Sequence, residues 1–246
     1  MKRLLPEGLK RPIRSQLHRL RAWRKRALLQ VKRANRGALI RQHFNSHSLI
    51  KVSLGAGKHA KPGWLNTDYE PFGHPDVVYL DAAEPFPFSD ASVDYFYTEH
   101  MIEHLPLSSA QLMLRECYRT LKVGGKIRIA TPDMMQLAKL LFPNDGAAEI
   151  AGYAEWALRT FPPDVGASME LTNCMVFNNF MRNWGHQFVY DERTLLALLK
   201  DVGFAAVRRC AVNFSEDPQL VGQEMHQQIV DTIANNFETM VLEATK

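Results

Sequence analysis

The chain has 246 residues, 46% of them apolar and 23% charged, which is ordinary globular usage and suits one α/β domain plus an extension. Cys117, Cys174 and Cys210 lie far apart without CxxC or finger spacing, which excludes a disulfide framework and a zinc finger and points to a reducing cytoplasm. The net charge of +4 hides an asymmetry: residues 1–41 hold 14 Lys and Arg against Glu7 alone, while the rest holds 16 basic and 25 acidic residues.

We therefore read residues 1–47 as a basic extension that meets something anionic. Pro6 and Pro12 break its first dozen residues, and the pattern is helical from about 14 to 35. Leu17, Leu20, Trp23, Ala27 and Val31 share one stripe with Lys and Arg largely off it. Such a helix either docks on the domain or lies on an anionic membrane surface with Trp23 at the interface; nucleic acid ranks behind both. No apolar stretch follows the basic N-terminus as in a secretory signal, and none is long enough for a bilayer. The expected location is cytoplasmic, with the inner membrane surface as the place of any peripheral contact.

Strand-like segments follow at 49–54, 64–68, 77–80 and 92–97, the first ending at Gly55-Ala56-Gly57 and the third at Asp81. A helix over 108–121 is closed by Gly124-Gly125, and a fifth strand covers 126–130. Helical stretches at 134–141 and 147–158 fall within an insert, 134–185, long enough to be a lid or substrate site. A helix over 191–202, a strand over 205–212 and a last strand over 237–246 complete residues 48–246 as one domain. Alternating strands and helices indicate a mostly parallel sheet. Only Lys58–Gly63 separates the glycine turn from the second strand, so no full crossover helix fits there, and the segment 37–47 is expected to cover part of that face.

In open α/β sheets ligands sit beyond the carboxyl ends of the strands. Gly55 and Gly57 allow close approach to the backbone. Asp68 ends the second strand, where a carboxylate accepts ribose hydroxyls, and Asp81 ends the third, where it takes an adenine amino group. The three endings together describe an adenosine site. A turn carboxylate by itself is more often a solvated cap.

The stretches KVSLGAGKHAKPGWLNTDY (51–69), VVYLDAAEPFPFSDASVDYFYTEHMIEHL (77–105), RECYRTLKVGGKIRIATPD (115–133), WGHQFVYDERTLLALLKDVGF (184–204) and ETMVLEATK (238–246) resemble the class I S-adenosylmethionine-dependent methyltransferases of the type 11 kind, in a branch often associated with bacterial polysaccharide biosynthesis. The resemblance implies a Rossmann-like α/β fold with helices on both faces. Its seven-stranded sheet would run 3-2-1-4-5-7-6 with strand 7 antiparallel. It implies S-adenosylmethionine as cofactor, held by Ser53, Gly55, Ala56, Gly57, Asp68, Tyr69, Asp81, Ala82, Thr98 and Glu99. Ser53 stands where the family often has an acidic residue, and His59 where a third glycine is usual.

His100, Glu103 and His104 share one face if a helix begins there. The string resembles an inverted zinc-peptidase motif, which lacks its supporting glutamate helix here. It also resembles the E-x-x-E-H site of metal-dependent RNA 2′-O-methyltransferases, with His186 as a completing ligand. The order of preference is hydrogen bonding by Glu103 and His104, then a histidine base (His100 first, His186 second), then a metal, whose need is left open. The functional expectation is O-methylation of a sugar, glycan or small-molecule acceptor. The alternatives are an RNA methyltransferase, which the Lys/Arg-poor insert disfavours, and a non-catalytic cofactor-binding scaffold.

Overall fold

A computed structural model of the protein describes residues 7–71, 76–142, 147–164, 169–228 and 230–246. The chain opens with α1 (Glu7–Ser46) and continues through β1 (Lys51–Leu54), β2 (Leu65–Asp68), β3 (Val77–Tyr79), β4 (Val93–Glu99), α2 (Leu107–Thr120) and β5 (Leu121–Pro132). Then come α3 (Met134–Ala138), α4 (Ala147–Thr160), α5 (Asn173–Arg182), α6 (Glu192–Val202), β6 (Ala206–Cys210), α7 (Thr232–Glu238) and β7 (Thr239–Thr245). Strand order is β3-β2-β1-β4-β5-β7-β6. β1 to β5 are parallel, and β7 runs antiparallel between β5 and β6. This is the Rossmann-like sheet expected from the sequence. No helix among the described residues is long and apolar enough to cross a membrane.

The strands form where apolar side chains run together: Val52, Leu54, Val93, Phe96, Ile127 and Ile129 are all buried in the main core. Helix starts follow side-chain capping. Asp133 accepts from Met135 N ahead of α3, Asp191 from Thr194 N ahead of α6, and Asp231 from Ile233 N ahead of α7. α6 stops at Gly203, whose φ of 117° is left-handed.

Two local expectations change. Pro12 does not break the arm, since α1 runs through it as one helix. Gly124-Gly125 do not close α2, because Leu121 already leaves it in an extended conformation. The two glycines instead sit inside β5, where the register on β4 jumps from Val93↔Leu121 to Tyr95↔Lys126. A Cβ on Gly125 would lie 2.9 Å from Lys122 O and 3.0 Å from Asp94 O, so the bulge there requires glycine.

No helix links β1 to β2. The last turns of α1 fill part of that face instead. Ile40 is buried in the same cluster as Val52, Leu65 and Val78, Phe44 stacks on Phe88, Arg36 lies over Tyr79 and Arg33 pairs with Glu84. Further out, Trp23 is 67% and Val31 56% exposed, so this part of the stripe is not docked; the side chains of Leu17 and Leu20 lie outside the described residues. A second core joins α3, α4, α5 and α7 through Leu137, Tyr153, Ala157, Val176, Phe180 and Phe237, and it roofs the carboxyl ends of β1 and β4.

Candidate functional site

β1 and β4 are neighbours whose next strands lie on opposite sides, so a crevice opens beyond their carboxyl ends. A cavity of about 410 Å³ occupies it. Its floor is Ser53 and the turn Gly55-Ala56-Gly57; its walls are Glu99, His100, Glu103 and His104. Tyr153, Trp156, Phe161, Phe180, Trp184 and His186 form a largely aromatic roof, and His226 and Glu238 close one side.

The glycine turn is built by backbone geometry. Gly55 has φ 67° and Gly57 φ 53°, both left-handed. A Cβ on Gly55 would approach Met101 Cγ to 2.3 Å, whereas one on Gly57 would meet nothing within 4 Å. The open space over Gly57 is what a ligand approaching the main chain needs. Asp68 joins the unit from the next strand: its Oδ2 accepts from Gly57 N at 2.9 Å and its Oδ1 from Glu70 N at 2.7 Å.

The other sequence-predicted cofactor residues divide. Asp68, Tyr69, Asp81 and Ala82 gather at the tips of β2 and β3 beside the cavity rather than in its lining. Asp81 Oδ1 accepts from Ala83 N at 2.9 Å, the turn-capping role weighed as the plain alternative. Thr98 is a correction. It is fully buried and faces away, because alternation along β4 sends Tyr97 and Glu99 to the cavity and Thr98 to the interior. Glu99 lines the cavity, but its carboxylate also accepts from Met225 N and His226 N at 2.8–3.0 Å, tying the late loop to β4.

The histidines follow from a strained turn. His100 has φ 45°, and His104 follows it through one 3-10 turn, Ile102–His104. His100 is engaged at both nitrogens, with Nδ1 3.4 Å from Glu103 Oε1 and Nε2 3.2 Å from Thr239 Oγ1. Burial works against its charge, yet Glu103, Glu238 and Glu99 together raise its pKa. Both features depart from the expectation of His100 as first-choice base. His186 is different. Its Nδ1 faces Phe180 O at 2.8 Å, so Nδ1 carries the proton and Nε2 keeps its lone pair. Burial lowers its pKa, against a smaller opposing pull from Glu103, while His104 and His100 push it further down.

Glu103 is fully buried, accepts from Thr131 Oγ1 at 3.1 Å, and has its pKa held low by His100 against the cost of burial. Of the expected set His100, Glu103 and His104 with His186 as completing ligand, the last three converge, with one ligand atom of each within 4.8 Å of the others, while His100 falls with His226 and Glu238 instead. Tyr153 and Trp156 come from the insert expected to be a lid or substrate site, whereas sequence reasoning missed Lys61, His226 and Glu238. Lys61 is buried beside the cavity, its Nζ 4.4 Å from the Tyr97 ring centroid, and burial lowers its pKa although Glu99 and Glu224 oppose this. Glu238 lies at the start of the expected last strand, and the Asp231 cap of α7 was a further local signal ahead of it.

The sequence family described as "Methyltransferase domain" matches residues 56–129. That segment runs from the glycine turn through β2, β3 and β4 into β5. No curated protein matches the chain. Among solved structures, a SAM-dependent methyltransferase from Archaeoglobus fulgidus is similar at 18% identity and TM-score 0.48, covering 87% of this chain and 94% of that one. A SAM-dependent methyltransferase from Thermotoga maritima is similar at 14% identity and TM-score 0.44, covering 90% and 97%. Phosphoethanolamine N-methyltransferase 2 of Haemonchus contortus, in complex with phosphomonomethylethanolamine and S-adenosylhomocysteine, is similar at 13% identity and TM-score 0.44. The alignment covers 87% of this chain and 52% of that chain.

Proposed function

We propose that this protein is an S-adenosylmethionine-dependent methyltransferase acting on a hydroxyl of a ring-bearing small molecule, with sugars and glycans as one such class. The observation that carries the reading is the meeting, in one cavity, of an uncovered glycine turn and a histidine whose free nitrogen stays unprotonated. When bound, S-adenosylmethionine supplies a methyl group already activated on a sulfonium. Gly55, Ala56, Gly57 and Asp68 would hold it, and Asp81 would reach its base from the tip of β3. The chain's remaining task is to orient the acceptor, exclude water and remove one proton. The aromatic roof packs the acceptor ring, and His186 Nε2 takes the hydroxyl proton.

The basic arm belongs to the same reading as a contact for an anionic membrane surface. Its support is the exposure of Trp23, Leu28 and Val31 on a helix otherwise rich in Lys and Arg.

Calorimetry with S-adenosylhomocysteine tests the cofactor half. Wild type binds, and Asp68→Ala binds at least about tenfold more weakly, the 1.4 kcal/mol expected from one lost polar anchor. A wild type that takes up no heat is a scaffold instead. For the catalytic half, transfer of a labelled methyl group to a panel of phenols and sugars supplies an acceptor. His186→Gln then lowers kcat by about 10²–10⁴-fold with cofactor affinity intact. Because the His186 pKa is lowered, wild-type kcat holds as pH falls through about 6.5 and declines only below it. Unchanged kcat in His186→Gln removes it as base.

A further inference from the structure

We propose that His100, His226 and Glu238 form a binding site for a divalent transition-metal ion of the zinc class. One ligating atom from each lies within 4.8 Å of the other two. His226 Nε2 stands 3.4 Å from Glu238 Oε1, longer than an ordinary hydrogen bond. That gap matches the edge of a tetrahedron built on metal bonds of about 2.1 Å. The imidazoles of His100 and His226 stack with centroids 3.7 Å apart, close enough for one ion to draw in a nitrogen from each once a ring turns its in-plane lone pair toward the other.

Two of the donors, His100 and Glu238, are also held from behind, as metal ligands are, and His226 is fixed through its main chain. Glu103 pairs with Nδ1 of His100, leaving Nε2 beside Thr239, the residue that follows Glu238. The Tyr153 hydroxyl donates to Glu238 Oε2 at 2.6 Å, leaving Oε1 for the His226 side. The backbone N–H of His226 donates to Glu99 Oε1 at 2.8 Å. The Thr239 hydroxyl donates to Asn235 Oδ1 at 3.1 Å, so toward His100 it acts as acceptor, and entry of an ion releases the proton now on Nε2.

Two imidazoles and one carboxylate suit zinc and its neighbours rather than magnesium or calcium. All three residues line the cavity, so a fourth position opens to it and takes an exchangeable oxygen. The neighbouring trio of Glu103, His104 and His186 is the rival site: Glu103 Oε2 is taken by Thr131, while its Oε1 stands 3.4 Å from His100. The site does not rest on the methyl-transfer reading, since its test reads metal and not turnover.

The full chain, stripped with a chelator and titrated with Co²⁺, develops the intense visible absorption of a tetrahedral nitrogen–oxygen site, and Zn²⁺ displaces it. His226→Ala and Glu238→Gln abolish the band. Tyr153→Phe weakens Co²⁺ affinity about 10–100-fold. His104→Ala leaves the band unchanged. A cooperative melt and a wild-type circular-dichroism spectrum report that each variant is folded. A wild type that takes up neither ion overturns the proposal. So does a band that survives in His226→Ala and disappears in His104→Ala, which moves the ion to the other trio.

Discussion

Gly55 and Gly57 share a backbone conformation but not a consequence. Gly55→Ala collides with Met101 and also pays the left-handed cost of about 1–2 kcal/mol, so it lowers the melting temperature as well as cofactor affinity. Gly57→Ala meets no atom within 4 Å. Its stability loss therefore stays within the left-handed cost of about 1–2 kcal/mol, while affinity for S-adenosylhomocysteine falls by more than that strain explains, because the added methyl occupies the ligand's approach. Thermal melts and calorimetry on both variants check this, and equal affinity losses per unit of stability lost would contradict it. These glycines and Asp68 were legible in sequence because strand endings announce themselves through turn residues. The engagement of Glu99 was not legible, since its partners are main-chain groups more than a hundred residues away. His226 was hidden for a similar reason: no local period marks a residue that reaches the cavity from a single 3-10 turn, His226–Gln228.

At the level of elements, most strands and long helices followed from apolar runs and caps. The exceptions are physical. α5 carries Asn178 and Asn179 among its apolar residues, and α7 has seven residues, too few for a periodic stripe. β5 begins five residues ahead of its apolar run because the bulge at Gly124-Gly125 interrupts the pattern without ending the strand. The short link from β1 to β2 did expose the lack of a helix there, and the end of α1 supplies the cover. Removing residues 1–31 therefore leaves Arg33, Arg36, Ile40 and Phe44 in place, and the melting temperature changes little. The same truncation abolishes binding to vesicles of anionic lipid. Removing residues 1–46 strips two apolar anchors, each worth about 2–5 kcal/mol, and the cooperative melt is lost. Vesicle binding that persists in the shorter truncation would rule out the arm as the contact.

Across the whole molecule, Arg128 joins Glu99 and Lys126 in binding the sheet to the late loop. Arg128 of β5 is fully buried; it donates to both oxygens of Glu224 at 2.6 and 2.9 Å and to Glu243 of β7 at 2.6 Å. It also donates to the Phe214 and Ala211 carbonyls at 3.0 and 3.3 Å. Arg128→Met leaves buried Glu224 without its cation, while Glu243 keeps Arg208, and costs about 3–5 kcal/mol in a urea titration. A loss below about 1 kcal/mol would mean that the carboxylates find other partners. Burial alone would raise the Glu243 pKa, but Ser215, Arg208 and Arg128 together hold it below its usual value. Its share of stability is complete above the ordinary carboxylate range and is lost as pH falls through the lowered native value.

The forty residues of α1 make a rod of about 60 Å with its final turns clamped beneath the sheet. A rod rooted at one end is a gauge. Any passenger seated on its outer half rides at a set span from the cavity mouth. Excising seven residues there would draw the passenger about 10 Å inward and swivel it by only about 20°.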